Sequence, residues 1–131
     1  MAQVYKFGGA SVKNAEGVRN VEKIVRMVEG DLMVVVSAMG KTTNALERVV
    51  DALAAGHEEK ALQQWVDIID FHVAIMKELG LQPGSDIRLQ GEIPFDPALP
   101  YDQNYDQIVS LGEIMSTQIV AVYLLKQGLS V

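Results

Sequence analysis

The chain has 131 residues, a net charge of −6 and a pI near 4.8, with 49% apolar and 21% charged residues. That is the balance of an ordinary soluble domain, or a piece of one, able to bury roughly two-thirds of its unfolded surface. The acidic balance argues against a non-specific nucleic-acid binder, which carries a basic stripe, and the lack of cysteine excludes disulfides and thiolate metal sites. The two histidines, His57 and His72, have no evident third ligand, so no zinc site is expected. Residues 1–6 lack the layout of a secretory leader, and no uninterrupted apolar run nears the roughly eighteen residues needed to span a bilayer. A cytoplasmic protein is the expectation.

In chain order, Val4-Tyr5-Lys6-Phe7 reads as a short strand stopped by Gly8-Gly9. A helix fits residues 15–29, with Asn14 as N-cap, Glu16 in the first turn and Val18, Val21, Ile24, Val25 and Val28 as its apolar stripe. Residues 32–36, Leu-Met-Val-Val-Val, form a continuous β-branched run of the kind found in buried parallel strands. A second helix is predicted over 43–55, closed by Gly56. Strand, loop, helix, strand, loop, helix is βαβ grammar, with ligand loops at the strand C-termini.

The middle differs. A long amphipathic helix is predicted over 60–79, with Leu62, Trp65, Val66, Ile69, Val73 and Met76 on one face. Residues 82–100 hold all four prolines and read as irregular. A last helix is expected over 102–126, carrying Tyr105, Ile108, Val109, Met115, Ile119 and Val122 inward, and residues 129–131 read as the start of another strand. Two strands cannot cover these helices, so the expectation is the N-terminal segment of a longer protein.

Three segments are placed to carry chemistry. Lys6-Phe7-Gly8-Gly9-Ala10-Ser11 sets paired glycines between a strand and a helix, so backbone amides can approach phosphate and Lys6 can neutralise its charge. A plain tight turn with a solvated Lys6 explains the same residues. Val36-Ser37-Ala38-Met39-Gly40-Lys41-Thr42-Thr43-Asn44 ends like a P-loop, but Val35 stands where that pattern needs its first glycine. What is left is a polar loop bearing Ser37, Lys41, Thr42, Thr43 and Asn44, or simply a helix N-cap supplied by Thr42 or Thr43. In Ser110-Leu111-Gly112-Glu113-Ile114-Met115-Ser116, an inward Glu113 would require a cation, whereas an outward one carries no functional meaning.

Taken in order, residues 6–12, 35–44 and 110–116 resemble three signature blocks of aspartate kinases, members of the amino-acid kinase family. Ala10 departs from the threonine usual there, which removes a hydroxyl but not the backbone loop. The resemblance implies an α/β fold: the N-terminal part of a three-layer α/β/α, carbamate-kinase-like domain, with a variable helical and loop insertion near residues 56–105. The C-terminal part of that domain and the regulatory domains would lie beyond Val131.

The resemblance also implies that ATP, carrying Mg2+, phosphorylates the β-carboxylate of L-aspartate, at the head of lysine, threonine and methionine synthesis. Lys6 would be catalytic; Lys6, Phe7, Gly8, Gly9 and Ser11 would cradle the nucleotide; Ser37, Thr43 and Glu113 would hold the acceptor, Glu113 through the α-ammonium. No resident metal is implied. The whole enzyme would be a homo-oligomer without nucleic-acid or membrane partners, and this segment alone would be inactive. The competing readings are a kinase for glutamate, acetylglutamate, carbamate or a nucleoside monophosphate, and a non-catalytic anion- or protein-binding α/β module.

Overall fold

The computed structural model describes residues 2–131. Its elements are β1 (Gln3–Phe7), α1 (Ala15–Arg26), β2 (Leu32–Val36), α2 (Thr42–Ala54), α3 (Glu58–Glu78) and α4 (Tyr101–Lys126). β1 and β2 pair in parallel, with Gln3 opposite Leu32 and Phe7 opposite Val36, as the βαβ reading requires.

Alternation along the strands divides the sheet. Phe7, Val34 and Val36 join one apolar cluster with Val18 and Val21 of α1, Ile75 and Met76 of α3, and Ile119, Val120 and Tyr123 of α4. On the other face Val4, Met33 and Val35 are 55%, 61% and 43% exposed, and Lys6 lies among them. Two layers of the expected three are therefore present among the described residues. A second cluster unites α2, the first half of α3 and the first half of α4 around Leu46, Trp65, Ile108 and Met115.

Local chemistry sets the helix ends. Asn14 caps α1 as predicted, its Oδ1 accepting from the Gly17 amide at 2.8 Å. α1 closes earlier than predicted, at Arg26. The Met27 and Val28 amides turn back to Ile24 and Val25 three residues away, tightening the chain before Gly30 at φ 84°. Gly56, Gly80 and Gly128 follow the next three helices with positive φ, as helix-ending glycines do.

The packed face of α3 is the predicted one in part: Trp65 and Met76 are buried, and Ile69 and Val73 are half-buried against the core clusters. Ala61, Trp65, Ile68, His72, Ile75 and Met76 are buried, whereas Leu62 and Val66 are 58% and 41% exposed. The helix has two apolar stripes; the second lines an open groove against residues 83–91, and α2 takes the first. α4 buries Asn104, Leu111, Gly112, Ser116, Val120 and Tyr123 besides the predicted Ile108, Met115 and Ile119. It is long and apolar enough to cross a membrane by length and composition, yet here it packs against α2 and β2.

Residues 82–100 are irregular apart from a single bridge between Pro83 and Ile87. Residues 129–131 form no strand, contrary to expectation. The Leu129 amide instead returns to the Leu124 carbonyl, and the segment lines a groove together with Leu32, Val34 and Val36 of β2.

Candidate active site

The three segments singled out by sequence meet at the C-terminal end of the sheet. The parallel ladder continues past the strands: the Ser37 amide donates to the Phe7 carbonyl at 2.9 Å, and the Gly40 amide to the Gly9 carbonyl at 3.1 Å. The loop after β1 and the loop after β2 are thus stitched together by their backbones. Gly9 makes this possible. A Cβ there would stand 2.9 Å from both the Ala38 and the Gly40 carbonyl oxygens, which are main chain and cannot rotate away. Gly40, at φ 56°, then turns the second loop into α2.

The third segment closes on the second through another close approach. A Cβ at Gly112 would lie 3.0 Å from the Ala38 Cβ, 3.2 Å from Leu46 Cδ1 and 3.2 Å from Thr42 Cγ2. Thr42 is buried and its hydroxyl donates to the Met39 carbonyl at 2.6 Å, fixing the end of the loop. Met39 itself is fully buried in the sheet-side cluster, so the loop is anchored from beneath.

Around this junction the predicted polar residues stay free. Lys6, Gly8, Ser11, Ser37 and Thr43 are exposed. Neither Lys6 nor Glu113 forms an ion pair among the described residues. Space opens beside Gly8, where an added Cβ would meet nothing within 4 Å. The Ser11 amide is spent on the Gly8 carbonyl at 3.0 Å, which leaves the Ser11 hydroxyl as its outward donor. Phe7 is half-buried and packs into the core, so only its backbone is offered to the loop. An exposed lysine, an open glycine and a free hydroxyl at the head of a capped helix are groups that suit phosphate.

The inward reading of Glu113 is corrected by its position on α4. Gly112 occupies the buried face, and Glu113, one step on, is exposed with a carboxylate that has no partner among the described residues. Lys41 also departs from the loop's polar set: it lines a separate cleft between α2 and α3, of about 320 Å3, with Arg48, Gln64 and Asp67. Sequence reasoning missed the packing roles of Gly112, Thr42 and Met39. The signal for Gly112 was present, since it shares the helical stripe of Ile108, Leu111 and Met115. The described residues include no group of three or more His, Asp or Glu side chains placed to hold a metal ion.

Comparison with known proteins gives a consistent picture. The model of the amino acid kinase family matches residues 1–131. Aspartokinase 1, chloroplastic, of Arabidopsis thaliana is 34% identical over 133 residues, covering 92% of this chain and 23% of that protein. Aspartokinase 2, chloroplastic, from the same plant is 33% identical, covering 95% of this chain and 25% of its own length. The chain therefore spans about a quarter of the curated relatives it matches. Its fold resembles the crystal structure of E. coli aspartokinase III in complex with aspartate and ADP. The TM-score is 0.67 at 21% identity, over 97% of this chain and 29% of that one.

Proposed function

Because this chain belongs to the amino acid kinase family, we propose that it forms the phosphate-binding wall and part of the acceptor wall of an aspartate kinase. The observation that carries this reading is the joining of the three segments through close backbone approaches at Gly9 and Gly112; Lys6, Ser11, Ser37, Thr43 and Glu113 stand on those segments. The aspartokinase relatives and the aspartate and ADP held by the structural neighbour support it.

In the proposed reaction a β-carboxylate oxygen of L-aspartate attacks the γ-phosphorus of ATP. The bond from that phosphorus to the β–γ bridging oxygen breaks, leaving ADP and an acyl phosphate, the precursor for lysine, threonine and methionine synthesis. A carboxylate is already ionised at neutral pH, so no general base is needed. The obstacle is electrostatic, an anion approaching a polyanion, and it is met by positioned cations and hydrogen-bond donors. Lys6 supplies the charge next to the open Gly8 backbone, and Ser11 donates a further hydrogen bond. Ser37 and Thr43 hold the reacting carboxylate, and Glu113, which its outward position alone would leave without a role, takes the α-ammonium group on the strength of the likeness to the aspartokinases. Magnesium enters on the nucleotide.

Lys6→Ala in the whole protein tests this reading. Acyl phosphate, trapped as hydroxamate, should form on the order of a hundredfold to a thousandfold more slowly, the usual cost of losing one transition-state donor, with circular dichroism unchanged. Turnover within about twofold of wild type would remove Lys6 from the mechanism. The 131-residue chain alone should yield no hydroxamate.

A further inference from the structure

The contact at Gly112 does more than let α4 approach. Its three near neighbours are themselves fixed: Ala38, Thr42 and Leu46 are 5%, 4% and 0% exposed, and Thr42 is tied to the Met39 carbonyl. A Cβ at 112 could not be accommodated by a side chain swinging aside, so α4 would have to stand off from the second loop by a few tenths of an ångström. All but Leu46 among the residues in this contact adjoin a group of the proposed acceptor site. Gly112 precedes Glu113, Ala38 follows Ser37, and Thr42 precedes Thr43. The contact therefore sets the span between the carboxylate assigned to the α-ammonium and the hydroxyls assigned to the reacting carboxylate.

We infer that Gly112 is a positioning residue that acts as a ruler for acceptor length, matching the site to an acidic amino acid with one methylene between its α-carbon and its reacting carboxylate. This rests on the aspartate kinase reading. It goes beyond it by assigning the choice between aspartate and its one-methylene-longer homologue, glutamate, to a glycine that touches neither substrate.

The experiment compares kcat/KM for L-aspartate and L-glutamate in the whole protein, wild type and Gly112→Ala, by hydroxamate trapping. In the variant the aspartate-to-glutamate ratio should fall about threefold, less than the roughly tenfold or more that a whole methylene is worth, because the displacement is a few tenths of an ångström, with the aspartate loss carried mainly by KM. Ala38→Gly combined with Gly112→Ala removes the nearest contact and should recover part of the ratio. Should Gly112→Ala not fold, Ala38→Val enlarges the same contact from the loop side, and its ratio should move in the same direction. Equal losses for both acceptors, with the ratio unchanged, overturn the ruler and leave the aspartate kinase reading standing. A wild-type protein that makes no acyl phosphate from aspartate overturns that reading, and the ruler with it.

Discussion

His72 has no exposed surface, yet it carries a titratable ring. Its Nδ1 meets the Ile68 carbonyl at 2.7 Å, so that nitrogen holds the proton and donates, while Nε2 is buried with no partner. Burial pushes its pKa below the ordinary histidine value, and the bond to Ile68 only partly offsets this. The folded state thus resists a proton that the unfolded chain takes up near pH 6.5. Its contribution to stability is complete above that pH and declines as pH falls towards the lower folded value. Chemical denaturation at a series of pH values should show stability dropping as pH falls below about 6.5, with a shallower slope in His72→Leu. Identical slopes in the two proteins would mean that His72 does not govern acid sensitivity.

At the scale of elements, one buried asparagine holds the proline-rich excursion to the helix that follows it. Asn104 is 3% exposed; its Oδ1 accepts from the Asp96 amide at 3.0 Å, and its Nδ2 donates to the Asp96 carbonyl at 2.9 Å. Removing it leaves the Asp96 amide unpaired, while the Asp96 carbonyl keeps the Leu99 amide as a donor, so Asn104→Ala should cost about 1–2 kcal/mol in urea denaturation. A loss below about 0.5 kcal/mol, the scale of an ordinary surface change, would show that the clamp is dispensable. No sequence pattern marked Asn104, because its partners are backbone groups of an irregular segment. The α1 cap at Asn14 was legible, since its bond closes within one turn. The packed face of α3 was legible only in part. Leu62 and Val66 keep helical spacing with Ile69 and Val73, and only the placement of α2 selects the Trp65 and Ile68 side. The candidate site was legible as three separate segments. Their junction was not, because Gly9 and Gly112 answer to atoms distant in sequence, and the exposure of Glu113 followed from the same packing.

Seen whole, the molecule is finished on one side of its sheet and bare on the other. Val4, Met33 and Val35 form an exposed apolar strip around Lys6, and patches of that kind drive association. The 131-residue chain should therefore self-associate as its concentration rises in sedimentation velocity. The triple change Val4→Thr, Met33→Thr, Val35→Thr should hold it monomeric while keeping β propensity. An equally associated triple variant would place the contact elsewhere. The backbone stitch between the two loops bears on a different question, that of portability. Gly9 is required by the carbonyls of Ala38 and Gly40, and the Gly9 carbonyl serves the Gly40 amide in return. Lys6 to Val12 moved alone to another strand–helix junction would carry the glycine without the atoms that gave it purpose. The loop is half of a two-piece joint, and a transplant would have to carry residues 37–42 with it.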